Sequence, residues 1–160
     1  MTGTGYLVMK TIHVLAVVLF LGNIMIGAFW KIHGDRSGDP RIIAHTLAGI
    51  IRADRWFTMP GVVLLIIAGF GGAGMGRISI GGSAWIVWSI VLLAVSAVAF
   101  MARLVPLQRR MLALARDASG ADGFDRATYA ALSRSWTVWG IIATLAPVVA
   151  VVLMVFKPGA

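Results

Sequence analysis

The stretch YLVMKTIHVLAVVLFLGNIMIGAFW, Tyr6 to Trp30, decides the fold. It carries a single charge, Lys10, in a run longer than the roughly 20 residues that take a helix across about 30 Å of hydrocarbon. A cleaved signal peptide would show a cationic leader and an apolar run of only about 7–15 residues, so this segment reads as a retained membrane helix. Working outward, three further apolar blocks follow, at about 56–75, 84–103 and 136–156. The chain is therefore expected to be an all-α membrane protein, one four-helix transmembrane domain over residues 1–160 arranged as an up-and-down bundle.

Composition agrees. Of 160 residues, 59% are hydrophobic and 12% charged, more oil than a soluble core of this size can use. The formal net charge of +8 would suggest nucleic acid in a soluble protein. Here the charges are explained by their placement. Lys31, Arg36, Arg41, Arg52 and Arg55 lie between the first two blocks, and Arg103, Arg109, Arg110, Arg116, Arg126 and Arg134 between the last two. Basic loops stay on the cytoplasmic face, beside anionic headgroups, so both termini and the glycine-rich connection are expected outside. The lipid bilayer is then the partner of the basic residues, and nucleic acid is not.

Between the spans, Asp39 and Pro40 have the residue types of an N-cap and first helical position. They introduce an amphipathic segment over about Arg41 to Arg55 with Ile43, Leu47, Ile50 and Ile51 on one side. Gly69 to Gly82 reads as a flexible external connection, and 117–125 as a polar loop whose Asp125 caps the last helix. The tryptophans are expected at the membrane boundaries, Trp30, Trp56, Trp136 and Trp139 on the inner side, Trp85 and Trp88 on the outer. Gly22, Gly27, Gly61 and Gly69 offer small faces for internal packing, for a homodimer or for a membrane protein partner.

Few residues offer chemistry. The chain has no cysteine and no glutamate, and no acidic residue falls inside an expected span, which argues against thiol chemistry, a carboxylate relay and paired-carboxylate catalysis. Asp35 and Asp54 are expected to form surface ion pairs with neighbouring arginines. No nucleotide-binding, nucleophile-elbow or zinc signature is present. His13 stands out, because imidazole inside a membrane helix requires a partner. It shares a helical stripe with Met9, Val17, Phe20, Ile24 and Gly27, an apolar wall against which a flat macrocycle could lie. As an axial ligand His13 would hold haem b, with Lys10 one turn away pairing with a propionate. Otherwise, His13 hydrogen-bonds a neighbouring helix and fixes packing. Asn23, Thr58, Ser96 and Thr144 are expected to bond between helices.

The motifs KTIHV (Lys10 to Val14), FLGN (Phe20 to Asn23), FWK (Phe29 to Lys31), DRSGDP (Asp35 to Pro40) and RADRWFTMPG (Arg52 to Gly61) resemble the bacterial membrane family called domain of unknown function 2269. Trp85 to Trp88 and LVPLQ (Leu104 to Gln108) extend the resemblance, which runs to about Arg116. It implies a multi-pass protein of the bacterial cytoplasmic (inner) membrane and brings no activity with it. More distantly, Lys10 and His13 resemble the Lys-x-x-His element of the HemJ-type membrane protoporphyrinogen oxidase, with His33 near a second histidine of that pattern. The third helix lacks that enzyme's basic residue and histidine, so the likeness implies haem binding through His13 rather than the oxidase reaction. Two other roles stay open on sequence, a scaffold or partner subunit without cofactor, and a small-solute transporter.

Overall fold

The computed structural model describes residues 3–118 and 123–159. Among these residues the regular structure is entirely helical, in four long antiparallel rods. The first is α1 (Thr4–Ser37). The second joins α2 (Pro40–Ala53) to α3 (Met59–Met75) through a π-helical turn, π1 (Asp54–Thr58). The third joins α4 (Ala84–Ala99) to α5 (Val105–Asp117) through a second such turn, π2 (Phe100–Leu104). The fourth is α6 (Arg126–Phe156). All four rods are long and apolar enough to cross a membrane.

Local chemistry sets the ends. Gly38 closes α1 in the left-handed conformation, φ 66°, and Asp39 accepts from the Arg41 amide at 2.8 Å ahead of Pro40 at the first helical position. Asp125 accepts from the Thr128 amide at 3.0 Å and starts α6. Both capping aspartates stand where the residue pattern puts them. Of the polar loop expected over 117–125, residues 119–122 lie outside the described residues.

The two π turns share one cause. Proline has no amide to donate and its ring crowds the carbonyl four residues back. In each rod the residue just before the proline donates five residues back instead, Met59 to the Asp54 carbonyl ahead of Pro60, and Val105 to the Phe100 carbonyl ahead of Pro106. The widened turn makes room for the ring without breaking the rod.

Packing divides the molecule along its length. Towards the termini, α1 lies along α3 and α4 along α6, while no Cα atoms of α3 and α4 come within 8 Å among the described residues. The α1/α3 contact is a side-chain-on-glycine interface: Phe20 covers Gly61, His13 Gly69, and Met9 Gly71 and Gly72. This corrects the expectation of a flexible connection from Gly69, since Gly69 to Met75 are helical and most of these glycines give α1 its close approach. In the α4/α6 pair, the Ser96 hydroxyl donates to the Ala143 carbonyl at 2.6 Å.

At the basic end α2 packs on α5 and all four rods meet. The hydrophobic core sits here, with Ile43 and Leu47 of α2 against Phe100, Leu104, Met111, Tyr129 and Trp136. α1 has 34 residues, about 51 Å at 1.5 Å per residue, so roughly 20 Å of rod is left beyond a hydrocarbon layer. The basic end is thus a small four-helix head continuous with the membrane helices. Trp136 is buried in that core and Trp85 at the start of α4, whereas Trp30, Trp56 and Trp88 are exposed.

Candidate functional site

Three groups of polar side chains lie within the rods. The first is His13. Its Nδ1 is 2.9 Å from the Leu65 carbonyl, which can only accept, so Nδ1 carries the proton and donates. The ring edge meets Gly69, where a Cβ would stand 3.1 Å from Nδ1 and Cε1. Met9 and Phe20, on the same stripe, face the glycines of α3. Lys10 is exposed one turn away. His33 lies about five to six turns along the same helix, roughly 30 Å from His13, and stacks on Phe29 instead. The two histidines cannot share one iron. No three His or Asp side chains converge among the described residues.

A second group ties α1 to α6 in the head. Lys31, only 2% exposed, donates to Asp35 and to the Ser133 hydroxyl. Asp35 also accepts from the Tyr129 hydroxyl at 2.6 Å and the Ser133 hydroxyl at 3.0 Å. The Lys31 ammonium lies 5.1 Å from the Trp136 ring centre, within cation–π range. Burial of a lysine is tolerated because every donor direction finds an acceptor or a ring face.

The third group is centred on Asp54, the first residue of π1. Its Oδ1 accepts from the Thr58 hydroxyl at 2.9 Å and the Asn23 amide at 3.2 Å, and its Oδ2 from the Gln108 amide at 3.1 Å. Asn23 also donates to Thr58 Oγ1 at 2.8 Å. Thr58 and Gln108 are buried, at 1% and 3% exposure. Three rods therefore meet on one carboxylate.

These contacts correct the expected surface pairs. Asp35 is held by Lys31 from inside the head rather than by Arg36, and Asp54 by neutral side chains, with Arg52 and Arg55 exposed. Helix periodicity gives the face a residue occupies but not which rod arrives opposite it, and Gln108, Tyr129 and Ser133 were invisible as partners for that reason. Asn23, Thr58 and Ser96 do bond between helices as expected.

The fold, the four apolar rods and the basic head define a polytopic integral membrane protein. Residues 7–158 match the family described as predicted integral membrane protein (DUF2269), and the chain belongs to that family. No curated protein and no solved structure matches it.

Proposed function

We propose that the chain is a non-catalytic membrane module, a partner or scaffold subunit of the bacterial cytoplasmic membrane, in which His13 is an interhelical clamp. The observation that supports this is the seating of His13, with Nδ1 bonded to Leu65 and the ring edge against Gly69. The stripe that could face a macrocycle is in contact with α3 at Met9, His13 and Phe20. Anchoring falls to the apolar rods, and contact with a partner to the head, whose exposed arginines include Arg41, Arg52, Arg109 and Arg116. His13→Ala is expected to lower the unfolding midpoint by the equivalent of about 1 kcal/mol, the scale of one interhelical hydrogen bond in a membrane. An unchanged midpoint in detergent-purified protein would remove the clamp.

One observation favours a second reading, a b-type haem protein. A histidine that ligates a metal usually gives its other ring N–H to a carbonyl or carboxylate, and Leu65 takes the Nδ1 proton, leaving the Nε2 lone pair available. Exposed Lys10 is then the cation for a propionate. Haem titrated into the purified protein and followed at the Soret band tests this, with His13→Ala expected to abolish and Lys10→Gln to weaken any binding.

A further inference from the structure

Asp35 and Asp54 both lie in the basic half, yet their surroundings differ in charge. Asp35 is matched by Lys31, the one ion pair among the described residues. Asp54 meets only neutral groups, although its neighbours in sequence, Arg52 and Arg55, are cationic and point outward to exposed positions. Three neutral donors stabilise the Asp54 carboxylate in part, and an opposite charge beside it would stabilise it further.

The side chains around Asp54 share one property. Asn23 and Gln108 each carry an oxygen beside the nitrogen now donating, and an amide turned about its last bond presents that oxygen at nearly the same place; the Thr58 hydroxyl oxygen, which donates to Asp54, has lone pairs of its own. Together with the carboxylate they form a set of hard oxygen donors and no nitrogen or sulfur ligand, the kind that suits alkali and alkaline-earth ions. One carboxylate supplies one negative charge, which matches a monovalent ion. The donors come from α1, π1 and α5, so an ion held there would also join three rods. Two of the four donors, Thr58 and Gln108, are buried.

We propose that Asp54, Asn23, Thr58 and Gln108 form a binding site for a small monovalent cation, with Na⁺ as the probe. The test is thermal unfolding of the whole chain in detergent at constant pH and ionic strength, exchanging choline chloride for NaCl. The wild-type midpoint is expected to rise with Na⁺ and saturate. In Asp54→Asn, which keeps the shape and removes the charge, the rise is expected to vanish. Thr58→Val keeps the shape and the carboxylate, and should shift half-saturation to Na⁺ concentrations about tenfold higher or more, as loss of a supporting group does at other metal sites. A wild-type midpoint indifferent to Na⁺ overturns the proposal whatever the variants do. So does an equal Na⁺ effect in wild type and Asp54→Asn. A midpoint that follows pH but not Na⁺ also overturns it and makes Asp54 a proton site instead.

Discussion

At the residue scale the molecule depends on a few close contacts that tolerate little change. Gly34 of α1 meets Thr46 of α2 so tightly that a Cβ there would stand 2.9–3.1 Å from the threonine side chain. Gly34→Ala is therefore expected to destabilise by about 1–3 kcal/mol, with Thr46→Ala in the same chain recovering most of it, as read from the two single variants and the double. Asp35→Ala leaves Lys31 buried without its counter-charge, a change of about 3–5 kcal/mol, whereas Arg36→Ala on the exposed face should stay within about 0.5 kcal/mol. Equal effects in chemical unfolding would show that Lys31 is not held by Asp35. The importance of His13 was legible because a histidine in an apolar run is conspicuous. That of Lys31 was not, since a lysine at the end of a span reads as a headgroup anchor until α6 is seen to cover it with Ser133, Tyr129 and Trp136.

At the element scale, caps and prolines govern where the rods begin and how they bend. The hydrogen bonds from Thr128 hold the Asp125 carboxyl below its usual range. A folded pKa lowered in this way adds stability that is present above the carboxylate's ordinary pKa and is lost as pH falls through the lowered value. The protection factors of the first-turn amides of α6, with the intrinsic pH dependence of exchange divided out, should therefore fall on acidification, and Asp125→Asn, which caps without titrating, should remove that fall. The four spans were legible from apolar run length, and each expected span lies within one rod. The amphipathic segment and both aspartate caps were legible from residue type, because capping is a local matter decided within four residues. The π turns were not, although Pro60 and Pro106 were in plain view. Proline announces a disturbance in a helix, but whether the rod kinks, breaks or widens depends on what packs around it. Glycine left the end of the second span ambiguous: Gly71, Gly72 and Gly74 fell both in the expected 56–75 span and in the expected glycine-rich connection, and they lie in α3, where Met9 packs on the first two.

At the scale of the whole molecule, a packed basic head sits on two pairs of membrane helices. The head explains why amphipathic α2 and α5 exist at all, since their apolar faces fill its core and their arginines face outward. The positive-inside rule predicts the head in the cytoplasm and the termini outside. The chain has no cysteine, so single-cysteine variants report this cleanly. Ser79→Cys and Lys157→Cys should react with an impermeant maleimide on intact spheroplasts, and Asp117→Cys only after lysis; the reverse pattern would invert the topology. The most direct test of His13 as a holder of helices rather than iron is a reduced-minus-oxidised visible spectrum of protein purified from haem-replete cells, beside His13→Ala. The clamp predicts no Soret or α-band in either sample and a lower unfolding midpoint for the variant. Bands present in the wild type and absent from His13→Ala would contradict it and make this a haem protein.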